Sequence, residues 1–532
     1  KISAALSDRL AAHPENRHLQ RQLTRIYLTQ ISTVHAFCAS ILRRYAHVLD
    51  LPADFRVGEE YEMDALRERV LDEVLEDAYA HLAEETDVAA AIDRLGHGRD
   101  DRRLAALVVQ LYEAARCQVE PEAWMAACEA AYRGARPAAQ TPWGAYWLAQ
   151  LRSAAEHADE CLRDALRAVQ RDAVLAEKLE PLLERNREAV QPYRTAADWD
   201  AVFAARTPEF GRMPVVRKAE DAEAKEQAAA LRKTAIGLVR DALDAFYGDS
   251  ETVCADLAQS FGPVEGLFSL VRRFDHAYTA AKRQRKLLDF ADLEHEAIRL
   301  LTDRYTGRPT AAARELAGQF REILIDEYQD SNAIQETIFQ AISREGQNLF
   351  MVGDVKQSIY RFRLAEPEIF LRKYAAYPDS EAAAAGEGRK ILLSDNFRSR
   401  PEILAAANDV FSLVMNREAA ELDYGAAEAL RAGREFPAAP GPGVELHCIE
   451  VQDGADEDGP GLENSREEAA FAARRIRQML DERVPVADGE MLRPVTPGDI
   501  VILMRSPGAA AGIYQQALRE VGVESVSDRS GS

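Results

Sequence analysis

The segment 322–363 decides the fold, reading EILIDEYQDSN at 322–332 and, after a short helical interval, NLFMVGDVKQSIYRFR at 348–363. Its apolar run Ile323–Ile325 is typical of a short buried strand and ends at the adjacent acids Asp326 and Glu327. A second apolar run precedes the Gly-Asp of the second half. Because the carboxyl ends of parallel strands share one edge of a sheet, where open α/β sheets bind ligands, we expect both sets of polar residues there.

The two predicted strand ends carry complementary chemistry. One carries acids, and the other is followed by cationic, amide and aromatic side chains: Lys356, Gln357, Tyr360, Arg361, Phe362 and Arg363. Mg²⁺ prefers carboxylate oxygen, phosphate attracts cations, and unpaired bases stack on flat rings. The combination therefore indicates nucleotide chemistry coupled to nucleic-acid binding.

The composition is that of a soluble globular protein. The 532 residues are 47% hydrophobic and 29% charged, a length that predicts about three or four domains. No uninterrupted apolar run approaches 18 residues, so we expect no membrane span. The first residues lack the features of a secretory signal, which favours a cytoplasmic location. The chain begins at Lys1 and stops at Ser532 in what reads as the middle of a domain, so we expect a fragment.

Cysteine usage and net charge narrow the choice further. The six cysteines are scattered without a C-x-x-C pair, which argues against a zinc or iron–sulfur site and against a disulfide framework. The net charge of −23 is unusual for a nucleic-acid-binding protein. The acids are concentrated in helical stretches such as 59–76, however, and the centre of 354–373 is basic, which leaves room for a cationic track on an acidic body.

Near the start of the chain, the pattern predicts a strand over 27–32 that turns at Thr33 into an amphipathic helix. Thr33 is placed to cap this helix, and His35 lies in its first turn. One interpretation is a capped helix with a surface histidine. The other is a helix amino terminus that offers hydroxyl, backbone N–H and imidazole groups to a phosphate.

The rest of the chain divides by composition. Residues 59–275 are rich in Ala, Leu, Glu and Arg with apolar spacings of three and four, which predicts a helical insertion. Residues 276–305 read as one long helix with the basic run 282–286, either a solvated face or a contact to a nucleic-acid backbone. Beyond 379, a second α/β unit is predicted, with strands at 390–393, 444–451 and 500–504 and helices at 467–482 and 509–520.

Three motifs in this order resemble a known family. DEYQD (326–330), GDVKQSIYRFR (353–363) and DNFRSRP (395–401) resemble motifs II, III and IV of superfamily 1 DNA helicases of the UvrD/RecB type, and STVHAFC (32–38) resembles their upstream DNA-contacting motif. The longer runs at 323–339, 348–374 and 393–430 are most similar to the Firmicutes-type AddA family, the helicase-nuclease subunits of the bacterial AddAB complex.

The resemblance implies roles in ATP hydrolysis. Asp326, with Glu327 beside it, is expected to hold Mg²⁺, and Glu327 to deprotonate the water that attacks the γ-phosphate. Gln357 is expected to sense the γ-phosphate. Arg398 is expected to act as an arginine finger and Phe397 to stack on the adenine of ATP.

The resemblance also implies DNA contacts and a partner. Phe362 occupies the family's base-stacking position, supported by Tyr360 and Arg363, while Thr33 and His35 are expected to contact the DNA strand. The expected partners are single-stranded DNA, duplex ends and an AddB-like subunit in a heterodimer.

The departures from the family pattern limit these expectations. G-x-x-x-x-G-K-[ST], the phosphate-binding loop, is absent from the chain and in this family lies upstream of the position of Lys1. The later helicase motifs, the second insertion and the nuclease domain are also absent. We therefore expect this polypeptide alone neither to hydrolyse ATP nor to cut DNA efficiently.

The resulting prediction is an α/β protein with RecA-like P-loop helicase domains. Residues 1–58 and 276–378 form the first such domain, 59–275 the helical insertion, and 379–532 an incomplete second domain. The intact protein is expected to be an ATP-dependent 3′ to 5′ helicase with exonuclease activity in double-strand-break repair. Two alternatives stay open: a RecB-like or UvrD-like helicase, and a DNA-binding scaffold that does not hydrolyse ATP.

Overall fold

The computed structural model describes residues 2–96, 102–133, 137–216, 220–359, 361, 365–420, 422–437, 441–449, 461–488, 491–505, 508 and 510–527. The α-helices in these ranges are α1 (Ile2–Ala12), α2 (Arg17–Arg25), α3 (Val34–Arg44), α4 (Ala46–Leu49), α5 (Glu60–Ala80), α6 (Thr86–Leu95), α7 (Arg102–Arg116), α8 (Pro121–Arg133), α9 (Pro142–Val169), α10 (Ala173–Arg194), α11 (Trp199–Ala204), α12 (Ala222–Leu243), α13 (Ser250–Gln284), α14 (Phe290–Leu301), α15 (Ala311–Gln319), α16 (Ala333–Ile342), α17 (Pro367–Ala376), α18 (Pro401–Val414), α19 (Arg417–Ala420), α20 (Gly461–Asp481) and α21 (Ala510–Glu520). The strands are β1 (Arg56–Val57), β2 (Leu287–Leu288), β3 (Ile323–Ile325), β4 (Leu349–Met351), β5 (Asp395–Asn396), β6 (Arg431–Ala432), β7 (Pro485–Asp488) and β8 (Met491–Pro494).

The chain forms two compact units. Unit one comprises residues 1–378 and 383–388, and unit two comprises residues 379–382 and 389–532. Unit one holds α1 to α17 and the parallel pairs β1–β2 and β3–β4, whereas unit two holds the parallel pair β5–β6, the antiparallel pair β7–β8 and α18 to α21. The part of the α/β prediction that the structure bears out is therefore a mostly helical protein with short parallel strand pairs.

The pair β3–β4 forms as predicted from the two apolar runs. The strands are parallel, with Leu324 opposite Phe350, and the Val352 N–H donates to the Ile325 carbonyl at 2.9 Å. The expectation that β3 is buried holds for Ile325, which is 9% exposed, and is wrong for Leu324, which is 73% exposed. Successive side chains of a strand point to opposite faces, and only one face of this pair is covered by helices of the described chain.

Residues 59–275 are helical, as their composition predicts. Two apolar cores hold this region together, one centred on α9, α10 and α12 and the other on α5, α6, α7 and α13. The helix α13 continues to Gln284 and so runs past the predicted boundary at 275. Within the described residues, no helix is long and apolar enough to cross a membrane.

The strand predicted over 27–32 is wrong. Residues Ile26–Leu28 form a short 3-10 helix, and the chain from Thr29 to Thr33 has no regular structure. Tyr27 and Ile31 are 80% and 68% exposed. A strand needs a partner for its backbone N–H and C=O groups, and the described residues supply none beside this segment.

The single helix predicted over 276–305 is also wrong. The helix α13 ends at Gln284, Lys286 adopts φ 55°, and Leu287–Leu288 pairs with β1 before α14 begins. Asp289 caps α14 in a reciprocal capping box with Asp292. Such a cap satisfies the free N–H groups of a new helix, so it favours a break over a continuous helix.

The basic run contributes to the core at this break. Lys282 is 1% exposed, and its Nζ lies 2.6 Å from a carboxylate oxygen of both Asp289 and Asp292. Arg116 of α7 donates to the other oxygen of Asp292 at 2.9 Å. Burial alone would raise the pKa of Asp289, but Lys282 holds that pKa below its ordinary value. A solvated face is therefore the wrong interpretation for Lys282.

The other basic residues of the run lie at the surface. Arg283 lies 3.4 Å from Glu296, and Lys286 lies 2.6 Å from Asp54. Exposed pairs of this kind contribute little to stability, whereas the buried Lys282 compensates two buried carboxylates. The amino terminus of α14 is thus anchored to α7 and α13 by buried charge.

We expect His295 to make unit one less stable at low pH. Burial and the charge of Arg116 lower the pKa of His295 to about 4, and its Nε2 lies 2.8 Å from the Arg116 carbonyl, with Glu294 and Asp289 also near. The unfolded chain binds a proton near the ordinary pKa of about 6.5, so this contribution is complete above that pH and is lost as the pH falls toward 4. Chemical denaturation between pH 8 and pH 5 measures the slope.

The control variants use the same exchange at two histidines. His295→Gln should flatten the loss of unfolding free energy below pH 6.5, whereas His81→Gln, at a histidine that is 48% exposed, should leave it unchanged. Equal pH dependence in the parent and in His295→Gln would contradict the prediction.

In unit two the helices are confirmed and the strands are not. The helices α20 and α21 match the predictions at 467–482 and 509–520, but 390–393, 444–449 and 501–504 contain no strand, and 450–451 lie outside the described residues. Leu393, Leu446 and Leu503 are 83%, 91% and 90% exposed. Apolar runs pair only where a neighbouring strand is available, so these predictions fail for the same reason as that at 27–32.

Candidate active site

The carboxylates predicted as the catalytic pair lie at the end of β3. Asp326 and Glu327 are both exposed, and the Glu327 N–H donates to Asp326 Oδ1 at 3.1 Å. Glu327 has φ 50° and ψ 43°, a left-handed conformation that costs a non-glycine residue on the order of 1–3 kcal/mol. The Tyr328 N–H donates to the Val352 carbonyl at 2.9 Å, so β4 holds the turn in place.

A buried glutamine connects this turn to the end of β4. Gln329 is 1% exposed; its Nε2 donates to Glu327 Oε2 at 2.7 Å, and its Oε1 accepts from the Asp354 N–H at 2.9 Å. A Cβ at Gly353 would lie 2.6 Å from Gln329 Oε1, so only glycine fits there without displacing the amide. The two strand ends are therefore joined by one side chain as well as by the strand pairing.

Asp354 carries the connection on to Gln357. Its Oδ1 lies 2.9 Å from Lys356 Nζ, and its Oδ2 accepts from Gln357 Nε2 at 3.0 Å. Lys356 and Gln357 belong to a 3-10 helix whose first N–H groups Asp354 caps. The structure thus brings Asp326, Glu327 and Gln357 together at one edge of β3–β4, as the sequence predicts.

Two further carboxyl and hydroxyl groups lie beneath this edge. Burial, followed by the charge of Glu327, raises the pKa of Asp330. The Tyr328 hydroxyl donates to Glu336, and burial followed by this bond raises the pKa of Tyr328. Lys373 of α17 lies 2.7 Å from Glu336 and so completes a polar anchor under the turn.

The donor set at the edge fits Mg²⁺ bound with phosphate. Asp326 is exposed at the strand end, and one of its oxygens accepts a backbone N–H. No group of three or more His, Cys, Asp or Glu side chains within the described ranges is arranged to hold a metal ion without other ligands. Mg²⁺ commonly takes one or two carboxylates, several waters and substrate phosphate oxygens, so this sparse set is adequate.

Thr33 and His35 lie at the amino terminus of α3. The Thr33 hydroxyl accepts from the Ala36 N–H at 3.3 Å, which confirms the predicted cap, and Val34 packs on the core under β3–β4. His35 Nε2 lies 3.2 Å from the buried Glu294, and the His35 ring stacks on Phe290 with centroids 4.4 Å apart. The imidazole is therefore held in one orientation.

The sequence interpretation missed Phe290 and Gln329. Phe290 is 58% exposed beside His35, and the available signal is an aromatic residue directly after the helix cap Asp289. Gln329 lies within DEYQD, but burial alone distinguishes it from a surface amide. Glu294, which also accepts from Gln335 Nε2 at 2.8 Å, gives no such signal.

Three predicted DNA-binding residues, Tyr360, Phe362 and Arg363, lie outside the described residues. Between them Arg361 is described, and its guanidinium pairs with Glu368 of α17. Their assignment stays a prediction from sequence.

Phe397 and Arg398 lie in unit two, after β5. Asn396 Oδ1 accepts from the Arg398 N–H at 2.9 Å and from the Ser399 N–H at 2.8 Å, which shapes the turn. Phe397 is 61% exposed, and Arg398 is exposed as well. A Cβ at Gly433 would lie 2.6 Å from the Phe397 ring, so that glycine admits the phenyl ring.

Comparison with known proteins places the chain in a family. The profile of the UvrD/REP helicase N-terminal domain matches residues 1–199 and 251–378. The chain belongs to the UvrD/REP helicase family. The two matched segments contain every predicted site residue of unit one, and the interval between them lies within the helical region.

Relatives within the UvrD/REP helicase family extend the match over the whole chain. It is 35% identical to AddA, the ATP-dependent helicase/nuclease protein of Pelotomaculum thermopropionicum, covering 100% of this chain and 45% of that protein. The AddA proteins of Geobacillus thermodenitrificans and Geobacillus kaustophilus are 35% and 36% identical, each covering 100% of this chain and 44% of the relative. The resemblance to the AddA family is thus confirmed, and the chain spans a little under half the length of these relatives.

Proposed function

We propose that this chain is part of an ATP-dependent DNA helicase that works with a nuclease on double-strand ends in recombinational repair. The observation that carries the proposal is the hydrogen-bonded series Glu327, Gln329, Asp354 and Gln357 at the shared edge of β3 and β4. The names of the relatives support the same activity. In this proposal, 1–58 and 276–378 belong to a RecA-like domain with a helical insertion at 59–275, and 379–532 to a second, incomplete RecA-like domain.

The proposed hydrolysis uses residues on both units. Asp326 binds Mg²⁺, and Glu327 accepts a proton from the attacking water and orients it toward the γ-phosphate. Bound Mg²⁺ neutralises charge on the phosphates. Gln357 responds to the γ-phosphate, while Arg398 stabilises charge developing on it and Phe397 stacks on adenine.

The proposed DNA track of unit one combines rings and hydrogen-bond donors. Phe362, Tyr360 and Arg363 grip one part of a single strand, and the His35–Phe290 pair offers a second stacking surface beside the amino terminus of α3. Movement in the 3′ to 5′ direction and assembly with an AddB-like partner belong to the same proposal. The lesser alternative, a scaffold that does not hydrolyse ATP, has no need for a strained carboxylate held by a buried amide.

The test of the function is ATP hydrolysis by the full-length protein in complex with its AddB-like partner, measured with and without single-stranded DNA. The proposal expects turnover that rises when DNA is added. Nucleotide binding without DNA-stimulated turnover would favour the scaffold instead.

We expect loss of either stacking ring to weaken the grip on single-stranded DNA. Stacking on an aromatic ring stabilises a bound base by about 1–3 kcal/mol, so Phe362→Ala or Phe290→Ala should reduce affinity roughly tenfold. Phe362→Ala should also uncouple ATP hydrolysis from unwinding. Tyr305→Ala, at an 87% exposed ring elsewhere in unit one, is the matched control and should bind as the parent does. Parental binding and unwinding by both phenylalanine variants would refute the proposed track.

A further inference from the structure

Gln329 has two hydrogen-bond partners on different segments, and their chemistry determines the orientation of its amide. The Glu327 carboxylate only accepts and the Asp354 N–H only donates, so the NH₂ group must face Glu327 and the oxygen must face Asp354. Both groups of the side chain are satisfied, and the residue is 1% exposed. A buried amide satisfied at both ends is more costly to disturb than an exposed one.

The surrounding packing leaves the amide no second position. The position that a Cβ on Gly353 would occupy lies 2.6 Å from Gln329 Oε1 and 3.2 Å from Phe370 of α17, so the backbone of the β4 turn and a helix close the pocket. Displacement of Glu327 must therefore move Gln329, Asp354 or both. Because Asp354 also holds Gln357 at 3.0 Å, the series continues to that side chain.

We propose that Gln329 is a positioning residue that holds the Glu327 carboxylate and ties its position to the Asp354–Gln357 turn. The inference rests on the proposed function, since it assigns Gln329 a part in the proposed ATP hydrolysis. Glu327 is exposed and its backbone is strained, so without this donor its carboxylate would sample several rotamers and face the attacking water less often. Loss of a supporting hydrogen bond of this kind typically reduces activity about 10- to 100-fold.

Two variants of matched size separate the two hydrogen bonds. Gln329→Glu keeps an acceptor for the Asp354 N–H and places a second carboxylate against Glu327. Gln329→Met has the same length and makes neither bond. Both should lower kcat for DNA-stimulated ATP hydrolysis about 10- to 100-fold with KM for ATP within about twofold of the parent, because the amide does not face the nucleotide in this proposal.

The pH profile distinguishes positioning from a general loss of structure. Asp326, Asp330, Asp354 and Lys356 already surround Glu327, and Glu336 and Lys373 lie below the turn. A further carboxylate at 329 disfavours ionisation of Glu327, so the acid limb of kcat in Gln329→Glu should move upward by about one pH unit or more, with activity partly restored at high pH. Gln329→Met should show a lower kcat without that shift.

The control is Gln340→Met, at an exposed glutamine whose Nε2 donates to Glu336 at 2.9 Å. It should retain the parental kcat, KM and pH profile. The experiment uses the full-length protein in complex with its AddB-like partner, and the melting temperature of each variant is recorded. Parental kcat in both Gln329 variants, or an equal fall in kcat and melting temperature with no pH shift in Gln329→Glu, would overturn the inference.

The outcome remains separable from that of the proposed function. If the parent hydrolyses ATP in response to DNA and Glu327→Gln does not, but the Gln329 variants behave as the parent, only the positioning role fails. If the parent shows no DNA-stimulated hydrolysis, the proposed function fails first.

Discussion

Glu327→Gln in the full-length protein is expected to lower DNA-stimulated ATP hydrolysis by about 10²- to 10⁴-fold while ATP binding is retained, because a general base is lost with little change of shape. The amide oxygen of the new side chain can still accept from Gln329 Nε2, so the hydrogen bond at 2.7 Å need not break. Steady-state turnover and equilibrium binding of a fluorescent ATP analogue measure the two effects separately.

A matched control lies in the turn before β4. Glu345 is also an exposed glutamate in the left-handed conformation, with φ 55° against 50° for Glu327, but no site residue contacts it in the described part of the chain. Glu345→Gln should therefore hydrolyse ATP at the parental rate. Normal turnover by Glu327→Gln would remove Glu327 from the mechanism and with it the main support for the proposed function.

Lys282→Met is expected to have the largest effect on stability. The substitution leaves Asp289 and Asp292 buried with only Arg116 nearby, and breaking such a buried pair costs about 3–5 kcal/mol. The amino terminus of α14, which carries Phe290, should loosen with it. Chemical denaturation measures the loss, and hydrogen exchange of the α14 amides locates it.

Two further variants make the prediction specific to buried charge. Lys286→Met removes a cation from the same run, but its pair with Asp54 is exposed, so the change should stay within about 1 kcal/mol. Adding Asp289→Asn to Lys282→Met removes one stranded carboxylate while keeping a good helix cap and should restore part of the stability. Equal destabilisation by Lys282→Met and Lys286→Met would contradict the argument.

The successful predictions depended on short-range patterns. The acids after Ile325 and the Gly-Asp after the second apolar run gave the parallel pair β3–β4 and its shared edge, and Thr33 was identified as a cap from residue type alone. Helices in 59–275 followed from apolar spacing. Each of these signals lies within a few residues of the structure that it predicts.

The failed predictions required information from elsewhere in the chain. An apolar run such as 27–32 is suited to a strand, but a strand forms only beside a partner, and the described residues bring none to it. The basic run 282–286 reads as a surface until the break after Gln284 turns Lys282 toward Asp289 and Asp292. The direction of a lysine depends on where the acids of the next helix lie.

The sequence by itself determined the chemical content of the candidate site: Asp326 and Glu327 after one strand and Gln357 after its neighbour, with the family that these motifs identify. Only the tertiary structure decided how that content is held, through Gln329 between two strand ends, Phe290 under His35 and Lys282 among buried acids. The physical reason is that backbone conformation and capping follow from neighbouring residues, whereas burial and side-chain pairing depend on which distant segments meet.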